Sequence, residues 1–257
     1  MNQFTRIELQ LGKEALVHLS QCRVAVFGIG GVGGFAVEAL VRSGIGALDI
    51  FDNDTVSLTN LNRQIIAINK TIGLYKVDVM KERILDINPK CLVTTYKTFF
   101  LPENSAEIDF KQFDYVVDAV DTVTAKIEII LKSIEANVPV ISAMGAGNKL
   151  DPTKFIVTDI NKTSICPLAR VMRHELKKRG VEHLKVVYST EKPTERFEEV
   201  SLEDSCTGSQ PSEPIIFHNQ RRPVPGSNAF VPSVCGLIAA GEVIKDLSAS
   251  FIKKIEF

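Results

Sequence analysis

A strand that runs without a break into a glycine-rich loop constrains this chain more than any other feature. The apolar run Arg23-Val24-Ala25-Val26-Phe27 leads into Gly28-Ile29-Gly30-Gly31-Val32-Gly33-Gly34, and an amphipathic stretch from Val32 to Ser43 follows. Glycine permits the tight turn and the close approach of backbone N–H groups to a phosphate at the positive end of the following helix. A second strand candidate, Leu48–Phe51, leads to Asp52, at about the 20-residue spacing where a carboxylate can accept both hydrogen bonds of a ribose diol. Strand, loop, helix, strand and acid together point to a nucleotide; glycines that serve only helix-to-sheet packing are the alternative.

The rest of the first half keeps this alternation. Further strand candidates are Leu92–Thr98, Tyr115–Val120 and Val138–Met144, and helix candidates are Leu74–Ile87 and Thr124–Ala136. Alternating periods of two and 3.6 residues predict a Rossmann-like α/β fold, a mostly parallel sheet with flanking helices. Beyond Asp151-Pro152 come one more strand candidate, Phe155–Ile160, and a helix, Pro167–Arg179, with proline in its first turn and Gly180 past its end. A Glu- and Pro-rich stretch reads as a mobile surface loop over residues 191–226, after which the apolar segment Ala229–Leu247 returns as a C-terminal extension on the same core. We therefore expect one domain over 1–257, with a nucleotide-binding half at 1–150 and a substrate and dimer half at 151–257.

Composition narrows the class. Thirty basic against 31 acidic residues leave a net charge of -1, so no global field marks a nucleic-acid or membrane binder, although a local basic patch is allowed. The five cysteines (Cys22, Cys91, Cys166, Cys206 and Cys235) form no C-x-x-C pair, and the first 20 residues hold no apolar core of a signal peptide. Both features point to a reduced cytoplasmic setting. The apolar run Val234–Ile244 is broken by Gly236, Gly241 and Glu242 and is far short of the ~20 residues of a membrane span.

Two nucleotides compete for the glycine loop: a dinucleotide for hydride transfer, and ATP. After Asp52 comes a polar, aperiodic run that holds Asp54, Asn60, Asn62, Arg63 and Gln64, and Lys76 opens the next helix. A triphosphate needs added cations to offset its charge, which Arg63 and Lys76 supply. Asp121, at the C-terminal end of the fourth strand in Asp118-Ala119-Val120-Asp121-Thr122, sits where ligands bind in open α/β sheets and suits Mg²⁺ bridging phosphates. The alternative is a helix cap from Asp121 or Thr122.

Gly28-x-Gly30-Gly31-x-Gly33, Asp52, Asn60-Leu61-Asn62-Arg63-Gln64, Lys76 and Asp118-x-x-Asp121-Thr122 resemble the adenylation domain of the ubiquitin-activating-enzyme-like superfamily. The resemblance implies Mg-ATP binding and transfer of AMP to a carboxylate. It implies that Asp52 holds the ribose, that Asn60, Arg63 and Lys76 hold phosphates, and that Asp121 binds magnesium. It also implies a homodimer in which an N-terminal arginine reaches the partner's ATP; Gln3-Phe4-Thr5-Arg6-x-x-Leu9-x-x-Gly12 makes Arg6 that residue.

Relatives that activate sulfur carriers usually hold zinc through two C-x-x-C pairs, and this sequence has none. Its motifs, from Arg6 through Gly145-Ala146-Gly147-Asn148 and Asp159-Ile160-x-Lys162-Thr163 to Ser227-Asn228-Ala229-Phe230-Val231-Pro232-Ser233, are similar to the tRNA threonylcarbamoyladenosine dehydratase branch. That similarity implies ATP-dependent cyclisation of the modified adenosine beside the anticodon, by adenylation of its threonyl carboxylate, with tRNA as partner and a sulfur-relay protein as a further one. The alternatives that stay open are adenylation of the C-terminus of a ubiquitin-like sulfur carrier and a nicotinamide-dependent oxidoreductase. Arg170, Arg173 and Lys177 recur at helical spacing and form the candidate RNA contact, or else a solvated face or dimer contact. Cys235, among apolar neighbours, reads as a core residue more than as a nucleophile, and Cys206 lies in a polar loop.

Overall fold

The computed structural model describes residues 2–195 and 225–251. Seven strands, β1 (Arg23–Phe27), β2 (Ala47–Phe51), β3 (Leu92–Tyr96), β4 (Tyr115–Asp118), β5 (Val140–Ala143), β6 (Phe155–Asp159) and β7 (Lys185–Ser189), form one sheet in the order β3-β2-β1-β4-β5-β7-β6. Every pairing is parallel except β6 with β7, which is antiparallel. The helices are α1 (Thr5–Leu11), α2 (Lys13–Leu19), α3 (Gly33–Arg42), α4 (Lys76–Ile87), α5 (Val123–Glu135), α6 (Pro167–Lys177) and α7 (Val231–Ser248). The strand and helix expectations hold to within a few residues at their ends; β7, α1 and α2 are additions to them.

The central strands are buried on both faces, which is why their sequences read as continuous apolar runs. Along β1, Val24 and Val26 join a core with Val37 and Leu40 of α3, Met80 of α4 and Cys235, Ala239 and Val243 of α7. Ala25 and Phe27 face the other way, with Phe51, Phe100, Phe110, Phe113 and Ile129 of α5. A third apolar cluster joins α5 and α6 through Ile127, Ile130, Ala169, Met172 and Leu176. The C-terminal extension thus packs on the same core as the glycine loop, as Ala229–Leu247 predicts.

Strand order reverses between β1 and β4: β1 leads outward to β2 and β3 on one side, and β4 to β5 on the other. Such a switch point opens a crevice beyond the C-terminal ends of the strands. No helix among the described residues is long and apolar enough to cross a membrane.

Candidate functional site

A cavity of about 530 Å³ occupies that crevice. Its lining includes Gly28, Gly30 and Gly31 from the loop after β1, Asp52 and Asp54 after β2, Asn60, Arg63, Gln64 and Lys76 from the following segment, and Asp121 after β4. These ten positions, far apart in sequence, are brought together as the motifs predict, but four other expected positions lie elsewhere.

Gly33 does not line the cavity. A Cβ there would lie 1.8 Å from the Gly28 carbonyl oxygen, so this glycine lets α3 start against the end of β1. For Gly33 the packing alternative is the correct one. Asn62 also points away: its amide donates to the Ser227 carbonyl at 3.0 Å and its oxygen accepts from Arg63 Nη1 at 2.9 Å. It orients the arginine and ties the chain near 227 to the cavity rim. Thr122 lines a neighbouring cavity instead, and although it is the N-cap residue of α5, no side-chain cap bond forms there. Arg6 is exposed on α1 and is absent from the lining of this cavity.

Asp52 is held by the backbone on both oxygens: Ile29 N donates to Oδ2 at 2.7 Å and Asp54 N to Oδ1 at 2.9 Å. Each oxygen keeps a lone pair for a hydroxyl donor. Burial pushes its carboxyl above the usual carboxylate range, although the Lys76 charge and the two amide bonds pull the other way. Lys76 is buried and lies 2.6 Å from Asp54 Oδ2 and 3.7 Å from Asp52 Oδ1, so its charge is already set beside the cavity. Arg63 donates to the Thr59 carbonyl at 2.9 Å. Among the described residues Gln64 Oε1 is buried without a partner, an acceptor that a bound hydroxyl or amino group would satisfy. Glycine amides, an unpartnered acceptor, two cations and an oriented carboxylate together fit a nucleoside triphosphate. At the other side of the cavity, Phe51, Phe99, Phe100, Val120 and Ala125 give an apolar wall suited to a base.

Asp121 is exposed and lines both this cavity and a second one of about 660 Å³, bounded by α5 and α6 through Ile127, Leu131, Leu168 and Val171. Among the described residues no group of three or more His, Cys, Asp or Glu is placed to hold a metal. A lone Asp121 still fits Mg²⁺, which takes one or two carboxylates together with substrate phosphates and keeps several waters.

On α6, Arg170 and Lys177 are exposed, whereas Arg173 is half-buried and donates to the Thr163 carbonyl at 2.7 Å and to its hydroxyl. Arg173 fastens α6 to the turn after β6, a correction to the three-residue basic face. Cys22, Cys91, Cys166 and Cys235 are buried, and burial pushes the Cys235 thiol up to about 12. Cys206 and most of the 191–226 loop lie outside the described residues. Sequence reasoning missed the apolar wall and the buried Lys126 of α5, which an amphipathic reading of that helix places with its solvent-facing charges.

The ThiF family model matches residues 4–255. Over 248 residues the chain is 45% identical to the tRNA threonylcarbamoyladenosine dehydratase of Bacillus subtilis (strain 168), covering 96% of this chain and 95% of that one. Crystal structures of the E. coli tRNA N6-threonylcarbamoyladenosine dehydratase in complex with AMP and with ATP share this fold at a TM-score of 0.82. They are 34% identical to this chain over 96% of its length and 94% of theirs. A more distant likeness is to the adenylyltransferase and sulfurtransferase uba4 of Ogataea parapolymorpha, 32% identical over 65% of this chain and 43% of that protein.

Proposed function

This chain belongs to the ThiF family, and from that premise we propose that it catalyses the ATP-driven dehydration of threonylcarbamoyladenosine beside the anticodon of tRNA. The observation that carries the chemistry is the convergence of Asp52, Arg63, Lys76 and Asp121 on one cavity with the glycine loop. A nicotinamide reading leaves the two cations without a task. The substrate class is supported by the likeness to the Bacillus subtilis dehydratase over nearly the whole of both chains.

In this reading the triphosphate lies over the amides of Gly30 and Gly31, the ribose hydroxyls bond Asp52, and the base rests on the Phe99–Phe100 wall. Arg63 and Lys76 offset the phosphate charge. Asp121 would hold magnesium, which would supply charge neutralisation at the phosphate oxygens. The substrate's carboxylate enters from the α5–α6 cavity, which meets the nucleotide cavity at Asp121. One carboxylate oxygen attacks the α-phosphorus and the bond to pyrophosphate breaks. A nitrogen of the same substituent then attacks the acyl carbon, closing a ring, releasing its proton and expelling AMP with the original carboxylate oxygen. No protein thiol is needed, because a tethered nucleophile acts at very high effective concentration.

The proposal includes a cytoplasmic homodimer. Its support is α1, which buries none of its own residues and leaves Leu9 84% exposed beside Arg6, a surface that a partner would cover. Arg170 and Lys177 are the proposed tRNA contacts on α6. A sulfur-relay partner would meet the surface of this chain, since the four described thiols are buried. Release of AMP and pyrophosphate that depends on tRNA bearing the modified adenosine tests the reading. Release that depends instead on a ubiquitin-like carrier protein would reverse it.

The raised Asp52 carboxyl gives a pH test. Only the carboxylate can accept two ribose hydroxyls, so kcat/KM for ATP should fall as pH drops through a range above that of an ordinary aspartate. A folded-state carboxyl that holds its proton more tightly than the unfolded chain stabilises the fold, through this group, as pH falls, so protonation of Asp52 does not itself unfold the chain, and a thermal melt at each pH separates the two effects. Asp52→Asn should lower kcat/KM and flatten the acid limb. A limb unchanged by Asp52→Asn would remove the ribose role.

A further inference from the structure

The motif Asp118-x-x-Asp121 holds two carboxylates, and the chemistry above uses only the second. Asp118 closes β4 and is fully buried, as is Lys126 in the first turns of α5. Lys126 Nζ lies 3.0 Å from Asp118 Oδ2, 3.3 Å from Ser142 Oγ and 2.7 Å from the Ala143 carbonyl oxygen, so all three of its N–H donors are used. Ser142 donates in turn to Asp118 Oδ2 at 2.5 Å, and Asp118 Oδ1 accepts from Val120 N at 3.3 Å.

These bonds join two walls of the nucleotide cavity. From Asp118 the chain runs through Ala119 and Val120 to Asp121, all three of which line it; from Ala143 it runs to Ala146 and Gly147, which line it as well. One buried ammonium therefore fastens the ends of β4 and β5 to α5. An amide or hydroxyl could not supply three donors and a compensating charge at that point.

We propose that Lys126, through Asp118 and the Ala143 carbonyl, is a positioning residue for the adenylation step, holding Asp121 in register with the Ala146–Gly147 wall. This rests on the proposed adenylation chemistry. Its contribution falls on turnover: misplacing a group at a reacting centre by about 1 Å costs on the order of 10²-fold in rate. ATP affinity, set chiefly by the glycine loop, Asp52 and the Arg63 side of the cavity, should move little.

The test compares Lys126→Met with the double variant Lys126→Met/Asp118→Asn. The single variant leaves a buried carboxylate unpaired and should lose both stability and activity; the double variant removes both charges and should recover thermal stability. We expect the double variant to bind ATP within about 3-fold of the unsubstituted protein while its kcat for AMP formation stays down by about 10²-fold. Recovery of kcat together with the melting temperature would overturn the positioning role and leave a merely structural pair. A loss of ATP affinity that matches the loss of kcat would overturn it too, since the whole cavity would then have been disturbed. If the unsubstituted protein forms AMP only with a carrier protein, the substrate assignment fails, and the same kcat-against-affinity comparison is made on that reaction, which also adenylates a carboxylate at Asp121.

Discussion

Asp121→Ala and Arg63→Ala should each reduce AMP formation by about 10³-fold, the scale seen when a cation or a charge-stabilising group is removed from a phosphoryl or acyl transfer site. The fold should survive both. Asp121 is exposed at the cavity rim, and among the described residues its side chain has no hydrogen-bond partner. Arg63 is half-buried and gives up only its bonds to the Thr59 carbonyl and Asn62 Oδ1. Exposed and rim substitutions of this kind typically shift stability by well under about 1 kcal/mol. Quenched-flow or coupled assays of AMP release, paired with thermal melts, separate the two effects. Near-normal turnover in either variant would withdraw its role in holding the triphosphate and magnesium.

Gly33→Ala should do the reverse, weakening the fold along with the activity. The added Cβ would sit 1.8 Å from the Gly28 carbonyl oxygen and 3.2 Å from Ala119 Cβ, backbone on one side and the end of β4 on the other. Gly28 cannot retreat, because its φ of 87° and its bond from Gly28 N to the Phe51 carbonyl fix the turn. Overpacking of this severity should cost about 3 kcal/mol or more, a fall of roughly 6–12 °C in Tm for a chain of this size. Gly30→Ala is the matched control: its Cβ meets only Gln64 Nε2 at 3.9 Å, so the melt should be preserved while the approach of a phosphate is narrowed. A Gly33→Ala protein with an unchanged melting temperature would contradict the packing role.

That contrast shows how far the sequence could be read. Gly28, Gly30, Gly31 and Gly33 form one pattern, and the pattern locates the strand, the turn and the helix. It does not say which glycines meet a ligand and which meet backbone, because that depends on where β4 comes to lie. Arg23–Phe27 was legible as β1 because a parallel strand buried on both faces leaves a continuous apolar run. Lys185–Ser189 was not: β7 opens with a charged residue, and it is buried by β5 and β6 at its edges and by helices on its faces, with Val186 and Tyr188 in the α5–α6 cluster. Asn62 shares a polar segment with Arg63 and Gln64, and only the position of Ser227 turns it away from the cavity. Lys126 is the hardest case. A lysine in an amphipathic helix reads as solvated, and the partners that bury it, Asp118 and Ser142, lie 8 and 16 positions away.

Mass analysis of the nucleoside tests the dehydration directly. The protein is incubated with ATP, Mg²⁺ and tRNA bearing threonylcarbamoyladenosine, and the tRNA is then digested to nucleosides. We expect the modified adenosine to lose the mass of one water, and that loss to require ATP and to disappear with Asp121→Ala. An unchanged nucleoside mass, with pyrophosphate released only when a ubiquitin-like carrier protein is added, would contradict it.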